Sequence, residues 1–305
     1  MSDLSLRRGR APAVAGLLLT VLIWGTTFVA TKVVLREVPP LTLTLWRFLL
    51  ATAALLPLAW AERRRAGGKL PWRGLLAAGL VGGCLYYGLQ NLGMVYTTAS
   101  KASLILATIP ALTAALSALT LHERIGAARA LGVGLSVCGV VAIVAADRAA
   151  TWQSGQLSGD LLIVASALAW AGYTVLGKGL QRRVTPAVLS AATVGLGAIM
   201  LLPFAGYEAL RQPLRVPSPA GWLAIAYLGL IASTVPFLLW NRALRSLDAS
   251  EAAVYTNLVP FVAVVSAMLL LGETLAPLQL VGGVLVVAGV WAASVNALPG
   301  AGRRR

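Results

Sequence analysis

"WGTTFVATK" spans Trp24 to Lys32 and "WAGYTVLGK" spans Trp170 to Lys178, two nine-residue stretches set 146 positions apart. Each begins with a tryptophan inside a long apolar run and ends with a lysine. The echo continues at the same offset, where Pro40 meets Pro186 and Pro57 meets Pro203. Further along, the offset becomes 150. There Trp72, Gly79, Asn91, Ala99, Ser100, Ala102, Pro110, Glu123, Gly132 and Gly139 meet identical residues at 222, 229, 241, 249, 250, 252, 260, 273, 282 and 289. The change of four corresponds to one insertion in a single loop. Shared apolar composition can align leucines and alanines by chance, but not prolines, asparagines and glutamates in register. The chain is a tandem duplication.

Composition says where that duplication resides. Of 305 residues, 58% are hydrophobic and 11% charged, with a mean hydropathy of +0.82. Soluble domains carry about 25% charged residues, so this chain has too little polar surface for water. Its apolar runs reach the roughly 20 residues needed to cross a bilayer. They fall near 13–35, 40–60, 73–95, 99–121, 127–146, 159–180, 186–209, 221–243, 250–271 and 277–297. The basic start (Arg7, Arg8, Arg10) ahead of the first run resembles a signal peptide. That run is too long for one and more spans follow it, so it reads as an uncleaved first helix.

Ten spans in two copies give five per copy. Because five is odd, the second copy enters the membrane upside down. The expected fold is an all-α polytopic membrane protein of ten transmembrane helices arranged as two inverted five-helix repeats, 13–146 and 159–297. Seventeen of the 25 basic residues fall in loops on the side of the N-terminus, against four (Arg36, Arg148, Arg211, Arg215) on the other. The positive-inside rule then places both termini in the cytoplasm and accounts for the net charge of +15 without nucleic acid. An inverted repeat also implies mechanism, since two such halves can open a central site alternately to each side.

"WGTTFVATK", "ASKASLILATIP", "LHER" and a glycine-spaced helix, echoed by "ASEAAVYTNLVP" and "LGET" in the second half, resemble the EamA-type drug/metabolite transporter family. The resemblance covers residues 13–297. It implies a central cavity between the halves and transport of small metabolites, often export of amino acids across a bacterial inner membrane. The partners then expected are a small-molecule substrate and the lipid bilayer, with monomer and homodimer both open.

Several residues are candidates for the site. Pro110 and Pro260 interrupt the fourth and ninth spans and free the carbonyls of Leu106 and Thr256. Irregular backbone at membrane depth belongs where protein buries it or a wet cavity meets it, though simple packing kinks are the alternative. Asn257, three residues before Pro260, is a candidate hydrogen-bonding group. Tyr86, Tyr87 and Gln90 share a face of the third span, and Trp240 lies on its repeat mate. Trp24 and Thr27 match Trp170 and Tyr173. As a set these suit a cavity that holds an amphiphilic solute; singly, each is also consistent with aromatic packing or an interfacial belt. Arg47 lies about 10 Å into the bilayer, seven residues past Pro40 at about 1.5 Å each. An intramembrane arginine must face a carbonyl, a carboxylate or the cavity.

Lys32 and Lys178 are gating candidates, or helix-end anchors that snorkel to the headgroups. Lys101 and its mate Glu251 carry opposite charges at mirrored depths, with solvated helix starts as the plainer reading. No glutamate lies deep in a span, and Asp147 and Asp160 read as flanking a loop. Gly132, Gly139, Gly282 and Gly289 sit seven apart on two helices and fit close helix packing.

Two further classes fit the sequence less well. A membrane-embedded enzyme needs paired histidines or a nucleophile with its base, and the chain holds one histidine, His122, and no H-E-x-x-H. A scaffold or receptor has no need of an inverted repeat. Cys84 and Cys138 lack metal-ligand spacing and read as small packing residues, so neither metal nor cofactor is expected. An exporter of drugs or toxic compounds with the same fold is the alternative to an amino-acid exporter.

Overall fold

A computed structural model describes residues 3–121, 127–146, 155–212, 216–246 and 255–295. Among them the regular elements are all helical. The first half contains α1 (Asp3–Val34), α2 (Pro40–Ala66), α3 (Trp72–Ala78), α4 (Tyr86–Tyr96), α5 (Ala99–Leu106), α6 (Ile109–Leu121) and α7 (Ala127–Ala145). The second contains α8 (Gln156–Leu180), α9 (Pro186–Arg211), α10 (Pro219–Ala226), α11 (Val235–Ser246), α12 (Val259–Leu271) and α13 (Pro277–Val295). Among the described residues seven helical runs are long and apolar enough to cross a membrane, and three shorter apolar helices occupy the remaining expected spans. The chain is a multi-pass membrane protein.

Helix starts follow from local chemistry. Pro40, Pro186 and Pro219 occupy first-turn positions, where a missing amide costs nothing. Thr98, Thr185 and Ser218 cap their helices by accepting from the amides of Lys101, Val188 and Gly221. Some ends differ from the sequence reading. α2 continues to Ala66 rather than stopping near 60, and Arg63 closes it by donating to the carbonyls of Gly67 and Gly68. Hydropathy marks where the hydrocarbon ends, not where a helix does.

Four expected spans are broken within. Between α3 and α4 the backbone is π-helical over Gly79–Leu85, and between α10 and α11 over Tyr227–Ala232. The two segments overlap under the 150-residue offset, and π turns of this kind concentrate at functional sites. The break before Pro110 falls at Ala107 and Thr108, and that before Pro260 at Asn257 and Leu258. Both prolines therefore sit at the second residue of the helix that follows, where no intrahelical bond is lost.

The duplication is visible in the packing. α2 lies against α9, its own repeat image, and α7 lies against α13 in the same relation. α1–α11 and α8–α4 form a third, image-related set. One polar contact recurs in register: Asn91 Nδ2 donates to Thr44 Oγ1 at 2.8 Å, and Asn241 Nδ2 to Ser190 Oγ at 2.9 Å. The glycines of α7 and α13 do what their spacing predicts. A Cβ on Gly139 would fall 2.6 Å from the carbonyl oxygen of Gly282, and one on Gly289 2.5 Å from that of Gly132. Only a bare backbone allows this approach. Cys84 is buried as a packing residue, whereas Cys138 faces outward.

Candidate functional site

Trp24 and Trp170, the residues that open the two echoed stretches, meet edge to face with ring centroids 5.8 Å apart. Symmetry mates touch only near the axis that relates them, so this contact marks the centre of the molecule. Around it, Trp240 lies 5.8 Å from Trp24, Tyr86 4.5 Å from Trp170, and Tyr173 5.1 Å from Trp170. Tyr87 packs on Tyr86 and Phe48, and Phe237 closes the group against Trp170. Five helices of both halves thus bring their rings to one point. The indole N–H of Trp24 is buried there without a hydrogen-bond partner among the described residues. A buried orphan donor is costly unless something accepts from it. Thr27, by contrast, spends its hydroxyl on the Trp24 carbonyl of its own helix.

Arg47 borders this cluster and is 3% exposed. Its Nε donates to Ser233 Oγ at 2.5 Å, and that hydroxyl donates onward to the Leu228 carbonyl at 2.8 Å. Ser233 sits where the π-helical segment ends, so the irregular backbone supplies the partner. The guanidinium also stacks over the Tyr87 ring, 4.4 Å from its centroid. No carboxylate among the described residues pairs with it. Its repeat mate is Thr193, whose hydroxyl bonds the Leu189 carbonyl. The positive charge thus belongs to one half only and gives a symmetric cluster a polar end.

Among the other candidates, Gln90 is buried on α4. Asn257 is partly exposed at the break before α12, with no ring contact or hydrogen bond tying it to the cluster among the described residues. Lys178 is exposed and Lys32 partly buried; Lys32 is attracted to Glu273. Glu251, like Glu123, His122 and Asp147, lies outside the described residues.

Lys101 and Asp160 correct the sequence reading. Lys101 is no solvated helix start, and Asp160 does not flank a loop. They are 2% and 1% exposed and form an ion pair at 2.5 Å, with Thr97 Oγ1 donating to the second carboxylate oxygen at 2.8 Å. The reason is tertiary: α5 docks on α8, so the first turns of both helices are enclosed by the other half.

This pair is one of four acidic links between the halves among the described residues, all at the end holding the α1–α2 turn. Glu208 accepts from the Thr42 amide and hydroxyl at 2.8 and 2.9 Å and from the Leu41 amide at 3.3 Å. Glu273 accepts from the Ala99 and Ser100 amides, each at 2.9 Å. Glu37 accepts from the Ser218 amide and hydroxyl, both at 2.7 Å. These carboxylates satisfy orphan amides at helix N-termini and meet the positive end of the helix dipole. The Ser218 amide and hydroxyl hold the Glu37 carboxyl below its ordinary range, so this link persists at neutral pH and loosens only as pH falls through that lowered value. Nothing in the sequence marks these links, because helix ends rather than span interiors are where a carboxylate finds free amides. At the opposite end a groove of about 560 Å³ lies between α3 and α8, of opposite halves, lined by Trp72, Arg73, Leu176, Leu180 and Arg183 among others. The acidic links thus lie at one end of the molecule and this groove at the other.

Comparison with known proteins agrees with this architecture. The sequence model of the EamA-like transporter family matches residues 11–145 and again 157–295. An uncharacterized transporter of Archaeoglobus fulgidus is 34% identical over 278 residues, covering 90% of this chain and 94% of the relative. A probable amino-acid metabolite efflux pump of Salmonella typhimurium is 32% identical over 283 residues, 90% of this chain and 92% of its own. A probable terminal-alkyne amino-acid exporter of Streptantibioticus cattleyicolor is 32% identical over 295 residues, 96% of each chain. A solved crystal structure with 22% identity superposes with a TM-score of 0.67 over 94% of this chain and 99% of its own, a likeness of fold.

Proposed function

The chain belongs to the EamA-like transporter family, and from that premise we propose that it is a secondary exporter of amino acids or similar small metabolites. The observation that carries this reading is the buried Arg47 guanidinium, held by a hydroxyl and a ring and without a carboxylate partner among the described residues. A buried cation lacking an acid favours a solute that brings one. The aromatic cluster and the free indole N–H of Trp24 then receive the rest of a zwitterion of modest size. Polyamines and quaternary cations meet repulsion from the same charge. The two units 13–146 and 159–297 move relative to one another about the Trp24–Trp170 contact. Both termini face the cytoplasm of a bacterial cell and the acid-linked end faces out, a reading supported by the distribution of basic residues.

Purified protein in proteoliposomes tests this directly. Loaded with a pool of labelled amino acids, nucleosides and polyamines, the vesicles are expected to exchange the amino acids and retain the polyamines. Robust transport of dications by the intact protein, with amino acids ignored, would overturn the substrate assignment in favour of drug efflux.

A further inference from the structure

The four acidic links at one end have no described counterpart at the other, yet the repeat supplies the residues for one. α2 packs on α9 with Thr52 against Gly195 and Phe48 against Gly197. The residue numbers of this antiparallel pairing sum to nearly the same value, and continuing the register brings Glu208 to the start of α2, where it binds Leu41 and Thr42. In the other direction it brings Glu62 to the start of α9. The offset of 146 maps Glu62 onto Glu208 and maps Leu41 and Thr42 onto Ala187 and Val188. The same acid therefore stands near the same helix N-terminus at both ends of the molecule.

Only one of the two contacts is made. The Val188 amide is capped instead by Thr185 Oγ1, at a long 3.3 Å. Glu62 Oε2 is buried with no hydrogen-bond partner among the described residues. A carboxylate oxygen held out of water without a donor is an unsettled arrangement, and here its repeat mate displays the settled one.

We propose that Glu62 is the counterpart latch: in the opposite conformation it caps the N-terminus of α9 through the Ala187 and Val188 amides, while Glu208 releases α2. The inference rests on the alternating-access reading above and adds to it the residue that stabilises the state this structure does not display. Glu62 and Glu208 then compete, each holding one end shut. In each state one acid then caps one helix start while the other is released, so the gain at one end offsets the loss at the other.

The test uses the full chain with Cys84 and Cys138 replaced by alanine and Ser103→Cys as a reporter. Ser103 is buried on α5, which packs against α8 and α12 of the other half. Labelling of the reporter from the outer side by an impermeant maleimide measures how often that end opens. Glu208→Gln is expected to raise the labelling rate about tenfold, the scale of one charge-assisted hydrogen bond. Glu62→Gln is expected to lower it by a similar factor, and the double variant to return near the parent rate. If Glu208→Gln raises labelling and Glu62→Gln leaves it unchanged, the counterpart role is wrong and alternating access stands. If neither variant changes it, the alternating-access reading itself fails. Should Glu62→Gln not accumulate in the membrane, a variant that keeps the carboxylate decides. Glu62→Asp keeps the charge but shortens its reach: labelling of the reporter falls below the parent rate if the carboxylate must reach the α9 amides, and stays at the parent rate if it need not.

Discussion

Replacing Arg47 by glutamine is expected to lower amino-acid exchange in proteoliposomes by about a hundredfold while leaving the folded protein abundant in the membrane. The glutamine amide still reaches toward Ser233, so the fold keeps a donor where the guanidinium Nε now lies. What disappears is the charge that meets the solute carboxylate. Loss of one partner from a buried, hydrogen-bonded charge pair costs about 2–5 kcal/mol, and roughly 1.4 kcal/mol corresponds to a factor of ten. A solute without a carboxylate should lose little on the same substitution. Loss of the variant from the membrane would instead assign Arg47 a structural role, as a cap on the irregular backbone around Ser233.

The second large effect concerns stability. Lys101 and Asp160 are both almost fully buried and bonded to each other. Asp160→Asn alone leaves an ammonium in a dry site, and Lys101→Met alone leaves a carboxylate there. Removing one member of a buried pair costs about 3–5 kcal/mol, whereas replacing both by apolar residues is often neutral. Each single variant should therefore lose much of its thermal stability in detergent and much of its abundance in the membrane. The double variant Lys101→Met with Asp160→Leu should recover most of both. Single variants as stable as the parent would mean that the pair is hydrated.

Much of this architecture is legible in the sequence because it is written twice. Proline, asparagine and glycine matches gave the repeat, and five apolar runs per copy gave the inversion. Trp24, Trp170, Tyr86, Tyr173 and Trp240 could be grouped from spacing, since residues on matching helical faces near the pseudo-symmetry axis must converge. The partners of the acids could not be read this way. Glu273 lies 174 residues from Ala99, and nothing local to either says that they meet. Asp160 looked like a loop residue because hydropathy places it at a span boundary, whereas its burial is decided by the docking of α5 on α8. The π-helical stretches are silent in sequence for a similar reason: glycines at 79, 82, 83 and 229 permit them, but the first is set by its packing against α9 and the second by its packing against α2.

Alternating access between the two halves is tested most directly by the echoed lysines. In this structure Lys178 is exposed and Lys32 partly buried. With a single cysteine at either position, added amino acid should raise sided labelling at Lys32→Cys and lower it at Lys178→Cys, or the reverse, but always in opposite senses. Labelling that is the same with and without substrate, from either side of the membrane, would describe a static pore or a scaffold and contradict the account.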